Sequence, residues 1–314
     1  MGYYHVVNRV HGKAYLLDAE AAEEFCRIMR RMARFCGVEV ITYCIMTNHV
    51  HLLVKVPPRE KLPDSELFAR YRDVAARSTY EKVYRQFERY RETGNQIGLA
   101  DIRSRLAMRM YDLSAFMKEL KQRFTQWYNV RNDCLGRGSF WTDRFKSTLV
   151  EGRGYALATV AAYIDLNPVR AKMVNDPKDY RWCGYAAALG GNPMAMMGLQ
   201  TLLAEFGRRD RVGDRLDEVL AMYRMLLFGT AQRRSGSVTR EQIDAVFAAE
   251  GMLPSWKIAR HRASWVTDGL IIGSKAFVGN LATAWNDRLG LKRKRGSQQS
   301  PGEEGWCALR RSPT

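Results

Sequence analysis

Apolar positions change period twice in the first sixty residues, and each change marks an expected element. Tyr3 to Asn8 alternates with period two and is rich in β-formers. It reads as a strand with His5 and Val7 on one face and Tyr4 and Val6 on the other. The spacing then turns helical: Phe25, Ile28, Met29, Met32 and Phe35 form one stripe, opened by Asp18 as an N-cap and stopped at Gly37. Val38 to Ile45 and Val50 to Val56 return to apolar β-runs. They are joined through Met46, Thr47 and Asn48 as an antiparallel hairpin that Pro57-Pro58 closes.

Residues 59–113 are charged, helical in pattern and rich in Arg, Glu and Tyr, and read as a helical insertion with a turn at Arg91 to Asn95. A further amphipathic helix spans about Ser114 to Asn129, burying Phe116, Leu120, Phe124 and Trp127, and Phe145 to Glu151 reads as the last strand of the set. Gly154 to Leu166 is apolar at helical spacing and is expected to end at Pro168. The order β-α-β-β-(insertion)-α-β-α predicts an α+β fold: a ferredoxin-like sandwich, with an antiparallel sheet and helices on one face. The expected organisation is a main domain over 1–190 and a helical linker region over 191–236. A small all-helical module follows over 237–291, opened by a capping-box pattern at Thr239 and Gln242, and then a basic, disordered tail over 292–314.

Composition narrows the partner. Lys and Arg outnumber Asp and Glu by 50 to 33, a formal charge of +17 spread through both halves of the 314 residues. Such an excess points to a polyanion. No apolar run approaches the roughly 18 residues of a membrane span and no basic helix has a lipid-like opposite face, so nucleic acid is favoured over a membrane surface. The N-terminus enters a β pattern with no signal-peptide core, and the six cysteines form no Cys-x-x-Cys pair. The expectation is a cytoplasmic protein with cysteines that act as small core residues.

Candidate chemistry lies in the hairpin and in the helix before Pro168. In a strand, His49 and His51 point the same way while Val50, Leu52 and Val54 face the other, so two imidazoles can offer ring nitrogens to one divalent cation. Taken alone, they read rather as two half-buried polar residues on a strand face. Tyr163 and Asn167, four apart, share a helical face; alone they read as a packing residue and a C-terminal cap.

Four segments together resemble the single-tyrosine HUH transposases, above all the REP-associated tyrosine transposases and their insertion-sequence relatives. These segments are Tyr4-His5 with Asn8-Arg9, Tyr43 to His51, Phe140 to Ser147, and Tyr163 to Ala171. The resemblance covers roughly residues 3 to 187. It implies that His49, His51 and Asn167 hold Mg²⁺ or Mn²⁺, with Asn167, shorter than the glutamine of some relatives, reaching the ion directly or through water. It further implies that Tyr163 attacks a DNA phosphodiester to form a 5′-phosphotyrosine. The chemistry is coherent: a cation neutralises the anionic phosphate, a phenol near it is a competent nucleophile, and the ester conserves the broken bond. Without a Walker-type loop, no nucleotide-driven step is expected.

Arg9, Arg123, Trp127, Arg144 and Lys146 are the candidate DNA-binding residues, as cations and a stacking face suited to single-stranded or hairpin DNA, against the plainer reading of core and solvated surface. His5 is either near the site or structural, and Trp256 to Arg262 belongs either to a DNA-reading module or to a brace. The expected function is a metal-dependent DNA transposase acting on the ends of a mobile element, alone or as a homodimer. The alternatives are a replication or conjugation initiator using the same chemistry, and a domesticated nucleic-acid-binding protein without activity.

Overall fold

The structure, a computed structural model, describes residues 1–133, 139–153, 155–205, 220, 223–224, 227, 269–289, 298–299 and 307–310. The chain divides into two compact units, one of Met1, Asp18–Glu39 and Lys55–Phe140, the other of Gly2–Leu17, Val40–Val54 and Trp141–Thr314.

The first unit is helical. Helix α1 (Ala19–Cys36) starts where the Asp18 carboxylate accepts from the Ala21 amide at 2.8 Å and ends at Gly37, whose φ of +63° is the left-handed cap a glycine adopts freely. The expected apolar stripe of α1 is buried, and Phe25 meets Phe124 of α5 (Leu113–Arg131) edge-on at 5.2 Å between ring centroids. Between them in sequence, α2 (Asp64–Val74), α3 (Arg77–Glu92) and α4 (Gln96–Ala107) occupy the segment read as a helical insertion. They pack on Phe68 and Phe87, whose rings lie 4.7 Å apart.

The second unit carries the sheet. Its strands are β1 (Gly2–Arg9), β2 (Glu39–Ile45), β3 (His49–Val56), β4 (Lys146–Val150), β5 (Gly269–Gly273), β6 (Gln298–Gln299) and β7 (Cys307–Arg310), in the order β2-β3-β1-β4-β5-β7-β6. The first four follow the ferredoxin-like order. β1 and β4 run antiparallel with His5 opposite Thr148 and Val7 opposite Lys146, so these side chains share a face. Tyr3, Leu53 and Val150 pack with Leu157, Val160 and Ile164 of α6 (Tyr155–Asp165) in one core. The chain then kinks at Leu166 and makes one more turn, α7 (Asn167–Arg170), with Pro168 at its start. Proline lacks only an N–H that a first turn leaves unbonded anyway, so it ends α6 without ending helical geometry.

Helices α8 (Gly184–Leu189) and α9 (Pro193–Leu203) lie against β2. A Cβ on Gly198 would fall 2.2 Å from the Ile41 carbonyl oxygen, and one on Gly184 2.1 Å from Thr42 Oγ1. Only glycine permits that approach.

The C-terminal region departs from the sequence reading. Within the stretch expected to be all-helical, Gly269–Gly273 is a strand parallel to β4, followed by α10 (Lys275–Leu289); Cys307–Arg310, inside the stretch expected to be disordered, pairs with β5. Short apolar runs such as Leu270 to Ile272 carry no periodicity that separates strand from buried helix, and their partners lie far off in sequence. The capping box at Thr239 and the Trp256 to Arg262 cluster fall outside the described residues. Cys26, Cys36, Cys44, Cys183 and Cys307 are all buried, as expected of core residues. Among the described residues no helix is long and apolar enough to cross a membrane.

Candidate active site

The hairpin and the helix before Pro168 meet. His49 and His51 stand on the same face of β3 with ring centroids 4.9 Å apart, and the Tyr163 ring of α6 lies edge-on to His51 at 5.7 Å. His5 of β1 completes the cluster: its Nε2 is 3.0 Å from His51 Nδ1, and its ring is 6.0 Å from that of Tyr163. His5, His51 and Tyr163 are buried. All four side chains come from the same chain and the same unit.

Local bonds decide which imidazole nitrogens are engaged. The hairpin tip is held by the N-terminal segment, with the Val10 amide donating to the Asn48 carbonyl and the Leu17 amide to the Thr47 carbonyl, each at 2.9 Å. Asn48 donates through Nδ2 to the Lys13 carbonyl at 3.4 Å, which turns its Oδ1 toward His49 Nδ1, 2.6 Å away. An amide oxygen only accepts, so His49 Nδ1 carries the proton and Nε2 keeps its lone pair. For His51, Nδ1 is likewise the bonded nitrogen, shared with His5.

Burial sets the charge state of both. It pushes His49 down to about 4, helped by the positive charge of Arg9. His51 is held well below the ordinary histidine range, first by burial and then by His5, His49, Arg170 and Arg9. At neutral pH the pair is therefore uncharged, the state that ligates a metal. Asn167, also buried, donates Nδ2 to the Tyr163 carbonyl at 3.0 Å and the Ile164 carbonyl at 3.4 Å. With Nδ2 committed to the helix, Oδ1 is its only atom able to ligate. The donor types suit a divalent cation: two neutral imidazoles with one nitrogen each oriented by a neighbour, and an amide oxygen one turn beyond the tyrosine.

On its other side α6 is anchored by Asp165. This fully buried carboxylate accepts from Thr42 Oγ1 at 2.9 Å on each oxygen, from the Tyr185 amide at 3.2 Å and from Tyr223 through a short bond. Burial raises it to about 6 against the pull of those donors. Asp165 thereby ties the tyrosine helix to β2, to α8 and to Tyr223.

The candidate DNA-binding residues separate by unit. Arg9 shares the His5 strand and reaches both hairpin imidazoles electrostatically, Lys146 is exposed on the His5 face of β4, and Arg144 is exposed just before that strand. Arg123 and Trp127 belong to α5 in the first unit. There Arg123 pairs with Glu119 at 3.3 Å, and Trp127 is half-buried beside Phe124 with Arg131 over its ring at 5.5 Å.

Two residues at the site were not assigned roles from the sequence. His5 is part of the imidazole cluster, a contact made across 46 positions that no local pattern signals. Arg170 lies over the Tyr163 ring with its Cζ 4.5 Å from the centroid. Its signal was available: seven positions after Tyr163 is the same helical face.

Comparison with known proteins bears out the resemblance over the N-terminal third: residues 1–93 match the family model described as Transposase IS200 like. A 61-residue segment, 19% of this chain, is 38% identical to the ISDra2 transposase TnpA of Deinococcus radiodurans. The match spans 44% of that relative's length, less than half. A structure of the REP-associated tyrosine transposase bound to a REP hairpin aligns over 62% of this chain and 84% of its own at 13% identity, with a TM-score of 0.39.

Proposed function

We propose that this chain, with IS200-like transposase sequence over residues 1–93, cleaves and rejoins single-stranded DNA through Tyr163. Its cation, Mg²⁺ or Mn²⁺, would be held by His49, His51 and Asn167. The observation that carries the reading is the meeting of the tyrosine ring with His51, at 5.7 Å, within one chain. A second subunit is not needed to assemble the set.

Tyr163 Oη attacks the phosphorus as its proton departs, and the bond from phosphorus to the 3′ oxygen breaks. That oxygen takes up a proton, leaving a 3′-hydroxyl and a 5′-phosphotyrosine. Attack by a 3′-hydroxyl on the ester reverses the exchange and rejoins the strand without an outside energy source. A bound cation would neutralise the non-bridging oxygens at the attacked phosphorus. For it to ligate through Nε2, His51 must donate its Nδ1 proton to His5 Nε2, just as His49 donates to Asn48. Arg9, Arg144 and Lys146, on or beside this sheet face, would bind the flanking phosphates.

Single-stranded oligonucleotides covering the DNA on either side of the gene, labelled and incubated with Mn²⁺, should yield a covalent adduct that Tyr163→Phe abolishes. An adduct that survives that substitution, or one formed equally well in excess chelator, overturns the reading.

A further inference from the structure

We infer that Arg170 is itself a catalytic residue, its guanidinium donating to a non-bridging oxygen of the phosphoryl group that Tyr163 attacks. This rests on the assignment of Tyr163 as nucleophile. Three observations converge on it. Asn167 and Arg170 follow Tyr163 by four and seven positions, and because α7 continues through Pro168 they share its face. The Arg170 guanidinium stacks on the nucleophile's own ring at 4.5 Å. Its Nη1 is buried with no hydrogen-bond partner among the described residues.

A buried N–H without an acceptor is costly, and a guanidinium normally spends its donors on carboxylates. Arg224 in the same unit does so, placing Nη2 2.6 Å from Asp176 Oδ2 and Nη1 3.1 Å from the Tyr185 hydroxyl. Contact with the Tyr163 ring satisfies none of the guanidinium's N–H donors, so Nη1 is left for an anion. Its charge is also felt at His51, so the guanidinium stands on the imidazole side of the tyrosine. An anion that meets this donor beside the phenol is the phosphoryl group that the phenol attacks. A donor preset for the charge of the transition state lowers the barrier without reorganisation.

The experiment compares wild type, Arg170→Gln and Tyr163→Phe on the flanking-DNA oligonucleotide with Mn²⁺, then repeats it with a neutral methylphosphonate at the mapped cleavage position. On the phosphodiester, Arg170→Gln should cleave about 100-fold more slowly at saturating DNA, as for loss of one preset donor, with affinity changed less than about threefold. On the methylphosphonate, which lacks the anionic oxygen, the gap between wild type and Arg170→Gln should close. A gap of the same size on both substrates makes Arg170 a strut for Tyr163 and overturns the inference, as does an unchanged rate on the phosphodiester. If Arg170→Gln fails to fold, Arg170→Ala with added guanidinium replaces it. Recovery of cleavage supports the inference, and no recovery in a folded variant defeats it. An adduct that persists in Tyr163→Phe defeats the nucleophile assignment instead, so the two failures are distinguishable.

Discussion

Arginine is treated in opposite ways in the helical insertion and beside Tyr163. In the insertion, Arg70 pairs with Glu66, Arg91 with Glu88, Arg103 with Asp64 and Arg105 with Asp101, on surfaces where water reaches both partners. At the site, Arg170 has a buried Nη1 with no acceptor among the described residues, and three imidazoles are packed together near it. Arginine is paired where it is cheap to leave it exposed and left with an unmet donor where burial makes that expensive. Groups that a fold keeps at a cost are reasonable places to look for chemistry, whereas satisfied surface pairs are not. The comparison can be broken by substitutions whose sizes it ranks.

The largest expected effect on stability is at Asp165. Asp165→Ala removes the acceptor of Thr42, of Tyr223 and of the Tyr185 amide. Leaving buried donors unmet should lower unfolding free energy by roughly 3 kcal/mol in denaturant titrations. Asp165 also sets a pH signature. Its carboxyl is raised from 3.8 to about 6, so its contribution to stability is present at low pH and lost as pH rises through 6. His49 is lowered from 6.5 to about 4, so its contribution is present above 6.5 and lost as pH falls toward 4, and His51 acts in the same direction. The two oppose each other between about 4 and 6. With metal removed, Asp165→Asn should steepen the rise of stability with pH across that window, and an unchanged slope would refute the assignment.

The legible parts of this fold were those whose cause is local. Asp18 and Gly37 bound α1 through a carboxylate three residues from its amide and a positive φ, both readable from residue type. The shared face of His49 and His51 follows from strand period alone, and that of Tyr163 and Asn167 from helix period. What was left open or missed depends on distance. His5 finds His51 across the sheet, Asp165 finds Tyr223 58 positions away, and β5 needs β4 and β7 on either side to be a strand at all. Arg170 escaped for a different reason: Pro168 was taken as a stop, whereas a proline in a first turn is compatible with the helix going on.

A smaller effect is expected at His5, where the cost of burial serves orientation. If His5 fixes the His51 ring and tautomer, His5→Leu should weaken Mn²⁺ binding by about 10- to 100-fold, the usual penalty for losing an outer partner of a histidine ligand. Electron paramagnetic resonance titration of Mn²⁺ reads this without DNA. His5→Gln, whose amide oxygen can accept the same proton, should recover most of the affinity. Equal losses in both variants would point to packing instead, and no loss in either would remove His5 from the metal's surroundings.

The smallest effect belongs to the best-formed ion pair of the insertion. Arg103 forks onto Asp64 with two bonds of 2.7 Å and sits over Phe87 at 5.4 Å, a geometry that looks strong. The two side chains are nevertheless 40% and 38% exposed, so solvent screens their attraction and the pair competes with good hydration of each partner. Arg103→Gln should therefore cost only about 0.5 kcal/mol, and less as salt is raised. Cleavage of single-stranded DNA should be unaffected if the insertion's arginines serve only their own surface. A loss of several kcal/mol would reverse the ranking drawn here, and a loss of cleavage at full stability would mean that paired surface arginines also handle the strand.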